Sequence, residues 1–97
     1  MHIIADASSL TDAEQELIRA AVGNQGMLEV ATRADMHGKA VVAGRRRFFS
    51  PNDRAIAAHY LSLVTRLKEL ELLRPVADKH AYELTNFGWQ ISRKLGR

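Results

Sequence analysis

Three consecutive arginines, Arg45-Arg46-Arg47, stand directly before two phenylalanines, Phe48-Phe49. Adjacent cations repel one another unless an anion is near. The triplet is therefore a candidate arm for phosphate groups, each of which would add to affinity and to salt sensitivity; the alternative is that the arginines are simply solvated. The phenylalanines read as anchors into the core. A second set, His59, Ser62, Thr65 and Arg66, recurs at helical spacing. Hydroxyls and a guanidinium on one helix face can reach base edges and phosphates from a major groove, and they can equally form an ordinary solvated face. A third set, Arg74, Lys79 and His80, brackets a short turn from which cations can reach a neighbouring minor groove or the backbone.

Other chemistry finds no constellation. The histidines His2, His37, His59 and His80 are scattered with no pair at the spacing of a helical metal site, and Asp35-x-His37 is too short to hold zinc. Gly38-Lys39 lacks the glycine-rich loop of a phosphate cradle. Ser8, Ser9 and Ser50 have no nearby base, and there is no cysteine. No catalytic residue, metal or cofactor is expected, and the chain does not read as an enzyme.

The 97 residues suit one domain, residues 1–97, with a single core. Without cysteine, neither disulfides nor thiolate metal sites can supplement that core, which fits a reducing, cytoplasmic setting. No apolar run has the make-up of a signal peptide or approaches the roughly 18 residues of a membrane span, so a soluble protein without a membrane partner is expected. The net charge of +3 is unevenly spread. Residues 1–31 hold one basic and five acidic residues, a net of −4, whereas residues 32–97 hold 13 basic and 6 acidic, a net of +7. Such polarity suits a domain that turns one face to a polyanion.

The elements that must position these groups follow from caps and periodicity. Thr11 and Glu14 form a capping box, and Leu10, Ala13, Leu17, Ala20 and Ala21, with Ile18 and Val22 beside them, give a helix that Gly23-Asn24-Gln25-Gly26 stops. Met27-Leu28-Glu29-Val30-Ala31-Thr32 reads as a short strand. Ala34 to Gly38 reads as a helical turn or a loop, and Lys39 to Ala43 as another strand ended by Gly44. Ser50-Pro51-Asn52-Asp53 predicts a helix start with Ser50 as cap, followed by an apolar stripe at Ile56, Tyr60, Leu63, Leu67 and Leu70. Leu72 to Val76 and Ala81 to Leu84 form a hairpin around Asp78-Lys79-His80. Thr85 caps a last helix, with Leu84 stapled onto Trp89 and with Arg93, Lys94 and Arg97 near its end.

Over residues 60–95, Val64-Thr65-Arg66-Leu67, then Leu70, Leu72-Leu73, the hairpin, and Tyr82-Glu83-Leu84-Thr85 with Gly88 resemble the winged-helix repressor families of bacteria, those similar to multiple-antibiotic-resistance and phenolic-acid regulators. The resemblance implies an α+β winged helix: helix, strand, β-rich insert, long helix, β-hairpin wing and short C-terminal helix. It also implies a DNA-binding transcriptional regulator, a homodimer that reads double-stranded DNA through the long helix and the wing. Those families usually end the recognition helix on glycine, where this chain has Glu71. Either Glu71 adopts the left-handed turn at a cost of about 1 kcal/mol, or the helix continues to Leu73. With no glycine or second cap between Pro51 and Leu73, the two helices of the helix-turn-helix are either fused or broken near His59. The order of elements is also similar to winged-helix modules of larger bacterial assemblies that contact a protein partner. Here that surface would lie around Phe48, Phe49 and Trp89.

Overall fold

The computed structural model describes residues 10–33, 38–50, 53–76 and 80–95. The expected turns at 34–37 and 78–79 and the Pro51-Asn52 step lie outside them. Helix α1 (Asp12–Gly23) is followed by strands β1 (Met27–Arg33), β2 (Gly38–Ala43) and β3 (Arg46–Phe48). Helix α2 (Arg54–Glu69), strands β4 (Leu73–Val76) and β5 (Ala81–Leu84) and helix α3 (Asn86–Lys94) complete an α+β fold. The strands form one antiparallel sheet in the order β3-β2-β1-β5-β4. The β-rich insert is thus a continuation of the sheet, and the element before α2 is a strand. Leu17 and Ile18 of α1, Leu63, Val64 and Leu67 of α2 and Ile91 of α3 share one core with Leu28, Val41, Phe48, Leu73 and Leu84 of the sheet.

The capping box of α1 forms as expected: the Thr11 N–H donates to Glu14 Oε1 at 2.9 Å, and the Glu14 N–H donates to Thr11 Oγ1 at 3.2 Å. The start of α2 differs from expectation. Ser50 is drawn into an isolated antiparallel bridge with Asp53, whose N–H donates to the Ser50 carbonyl. Asp53 is the cap instead, its carboxylate accepting from the Ala55 N–H at 3.0 Å. The helix then runs unbroken through His59. Its apolar stripe is largely the expected one, with Leu63 and Leu67 buried and Tyr60 and Leu70 packed against the core, but Ile56 is exposed and Ala57 is buried instead, against Ala40 beside Phe49.

At its other end, α2 stops at Glu69 because Glu71 takes the left-handed conformation, φ 65°. The Glu71 N–H donates to the Lys68 carbonyl, and the Leu72 N–H to the Leu67 carbonyl, with the side chains of Leu67 and Leu72 both buried. This is a Schellman ending built without glycine. Thr85 ties it to α3: its hydroxyl donates to the Glu71 carbonyl at 2.6 Å and accepts from the Gly88 N–H at 3.0 Å. Gly88 is required by packing, since a Cβ there would lie 2.2 Å from the Leu72 carbonyl oxygen. The Leu-Thr-x-x-Gly element is therefore the joint between the end of α2 and the start of α3.

Candidate nucleic-acid interface

Helix α2 brings His59, Ser62, Thr65 and Arg66 together on one exposed face, and its acid is at the last position, Glu69. The hydroxyls are occupied locally: Ser62 Oγ donates to the His59 carbonyl at 2.6 Å, and Thr65 Oγ1 to the Leu61 carbonyl at 3.2 Å. Each keeps its oxygen lone pairs toward solvent as an acceptor. The His59 ring stands edge-on to Tyr60, with centroids 5.5 Å apart.

Arg66 is held from below. Its Nε lies 2.6 Å from Oε2 of Glu14, a carboxylate fully buried in α1, whereas the arginine side chain is 52% exposed. That oxygen has no aligned hydrogen bond, so the contact is one of charge. The place of Glu14 in the capping box accounts only for its Oε1. The signal for its second role was its position on the apolar stripe of α1, between Leu10 and Leu17, where an acid needs a cation beside it.

The arginine triplet divides three ways. Arg46 Nη2 pairs with Glu16 Oε2 of α1 at 2.9 Å, and its guanidinium carbon lies 5.2 Å from the centre of the Phe48 ring. Arg45 is exposed in the turn after Gly44, and Arg47 is exposed opposite Val42; neither has a partner among the described residues. At the far edge of the sheet, Arg74 forms an ion pair with its cross-strand neighbour Glu83. His80 is exposed, its carbonyl accepting from the Val30 N–H at 2.8 Å, and Lys79 lies outside the described residues.

The basic groups do not converge. Strands β3 and β4 are opposite edges of the sheet, four strand spacings or roughly 19 Å apart. The β2–β3 turn with Arg45 lies at the end of the sheet where β1 begins, and the β4–β5 turn with His80 lies at the other end. The aromatic surface expected for a protein partner is also reduced, because Phe48 is buried against Tyr60 at a centroid distance of 4.9 Å. Trp89 is half-buried beside Gly26, whose φ of 86° brings a Cβ position within 2.7 Å of the indole. Between the end of α2, β4 and the start of α3 lies an open groove of about 540 Å³, lined by Lys68, Glu71, Arg74 and Phe87 among others, with both signs of charge at its rim.

The fold and this surface define a small α+β domain with an exposed, acid-poor helix face. Comparison with family models, curated proteins and solved structures finds no match to the chain. No helix among the described residues is long and apolar enough to cross a membrane.

Proposed function

We propose that this chain is a DNA-binding winged-helix protein, a transcriptional regulator of bacterial type, in which α2 enters the major groove and the β4–β5 hairpin serves as the wing. The observation that carries the reading is the outer face of α2, where His59, Ser62, Thr65 and Arg66 are exposed with no carboxylate before Glu69. A helix of about 10–12 Å diameter fits a groove about 12 Å wide, and these groups suit its base edges and phosphates. The element order supports it, since α2 leads directly into β4 and β5, and β5 lies beside β1, the strand that follows α1. In this arrangement the β2–β3 hairpin stands where a helix would otherwise precede α2. Arg45 and Arg47 would grip phosphates, whereas Arg46 and Arg74 contribute less because each is paired internally.

Fluorescence anisotropy with duplex DNA over a salt series tests this reading. Binding is expected at low salt and falls log-linearly as salt rises; no binding at low salt refutes it. A second reading, a winged-helix module that docks on a protein, is favoured by the dispersal of the basic groups over opposite edges of the sheet. A partner captured equally with and without competing DNA would support that reading.

A further inference from the structure

The last turn of α2 sets opposite charges side by side on the outer face of the helix. Arg66 and Glu69 are three residues apart, which makes them neighbours on a helix surface, and both are exposed. Glu69 has no ion-pair partner among the described residues. Arg66 meets the buried Oε2 of Glu14 through Nε, and its Nη1 and Nη2 donate no hydrogen bond among the described residues. Resting on the DNA-binding reading of this face, we propose that the end of α2 reads one G·C base pair. Arg66 donates from Nη1 and Nη2 to O6 and N7 of guanine, Glu69 accepts from N4 of cytosine, and Glu14 is the positioning residue that holds Arg66 by Nε.

Charge separates a base edge from a phosphate as the occupant. Arg66, Glu14 and Glu69 together carry a net negative charge, and Lys68 lines the groove beside β4 instead. A phosphate at this spot meets two carboxylates, one of them buried and little screened by salt. Neutral acceptors on a base edge meet no such repulsion. The order of donors and acceptors then selects the base pair. In the major groove G·C presents two acceptors, N7 and O6, followed by the donor N4, whereas A·T presents an acceptor, a donor and an acceptor. A guanidinium with two free donor nitrogens beside a carboxylate matches the first pattern. Over A·T in the same register, Arg66 faces the adenine amino group and Glu69 faces O4 of thymine, so both contacts set like against like.

The test uses a duplex that the wild-type chain enriches from a pool with a randomised centre. Fluorescence anisotropy compares it with a copy carrying 7-deazaguanine, which lacks N7, at the enriched guanine, and with a copy in which that G·C is A·T. The wild type is expected to enrich an invariant G·C and to bind both copies at least about fivefold more weakly. Glu69→Ala should narrow the preference for G·C over A·T while tightening binding to random duplex. Glu14→Gln, which frees Arg66 for phosphate, should narrow the preference too and steepen the salt slope by about 1. Arg66→Ala is combined with Glu14→Gln so that no carboxylate is stranded, and this double variant should bind the guanine and 7-deazaguanine duplexes alike. Circular dichroism checks that each variant is folded. No binding to any duplex at low salt removes the DNA-binding reading and the proposal with it. Binding that enriches no G·C, that tolerates 7-deazaguanine, or that Glu69→Ala changes by one factor on every duplex overturns the proposal and leaves that reading standing. A salt slope unmoved by Glu14→Gln overturns the positioning role.

Discussion

Replacing Arg66 with alanine strands the carboxylate of Glu14. That carboxylate is fully buried; Oε1 keeps its hydrogen bond from the Thr11 N–H, but Oε2 has only the guanidinium beside it. Removing one partner of a fully buried pair costs about 3–5 kcal/mol. Arg66 is half in water, which screens the contact from its side, so a smaller loss of roughly 2–3 kcal/mol is expected. Glu14→Gln is milder. The amide still accepts from the Thr11 N–H, and Arg66 is released into solvent, which leaves a cost of about 1 kcal/mol. Combining Glu14→Gln with Arg66→Ala removes the stranded charge, so the double variant should be more stable than the sum of the single effects by about 1–2 kcal/mol. Urea unfolding followed by circular dichroism at neutral pH measures all three, with unchanged m-values as the check on two-state behaviour. For a domain of this size, Arg66→Ala should lower Tm by roughly 10–20 °C. A loss below about 0.5 kcal/mol, as for an ordinary surface residue, would refute the buried pairing, and so would strict additivity. The result bears on function too: a loss of DNA binding in Arg66→Ala reports on recognition only at temperatures where the variant is folded.

Three further outcomes are expected. Arg45→Ala and Arg47→Ala should weaken binding alike to any duplex and lower the salt slope by about 1 each, while Arg46→Ala, already paired with Glu16, should lower it less; equal effects of all three in the anisotropy series would count against the division of the triplet. Glu71→Gly relieves a non-glycine residue at φ 65° and should stabilise the fold by roughly 0.5–1 kcal/mol, read as a higher urea midpoint, after part of the gain is lost to greater chain freedom in the unfolded state. Gly88→Ala should act oppositely, by more than about 2 kcal/mol, because its Cβ meets backbone rather than a yielding side chain; a near-neutral result in the same assay would contradict the close approach of α3 to Leu72.

The elements that local rules define were legible from the chain. Thr11 with Glu14, and Thr85 with Gly88, encode both helix starts within a few residues, and Leu73 to Leu84 encodes its own hairpin. Ser50 misled because serine before proline is a good cap by type, whereas the choice of Asp53 is made by the bridge between Ser50 and Asp53 after β3. Glu71 left two endings open, and the joint with Thr85 and Leu72 accompanies the tighter one. The exposure of Ile56 was not readable either: a stripe of Ile56, Tyr60 and Leu63 and one of Ala57, Tyr60 and Val64 are both helical, and only the proximity of β2, where Ala40 admits a close approach, favours the smaller residue.

The site was legible as a helix face but not as an electrostatic surface, and the reason is distance along the chain. The acidic first third and the basic remainder looked like two poles. In the fold they partly neutralise each other: Glu14 and Glu16 of α1 meet Arg66 and Arg46, residues 52 and 30 positions away. Arg74 is likewise consumed by Glu83. Three of the six arginine and lysine candidates for phosphate contact, including the most central, are therefore already in ion pairs, and a duplex would have to compete with a carboxylate for each. Binding driven by net charge should then be weaker than a net of +7 over residues 32–97 suggests. Arg66 gains a different use from the same contact. Fixed by a buried acid at the edge of an exposed helix face, its guanidinium has lost part of the freedom that a solvated arginine must give up on binding, which favours a directed contact over a diffuse one.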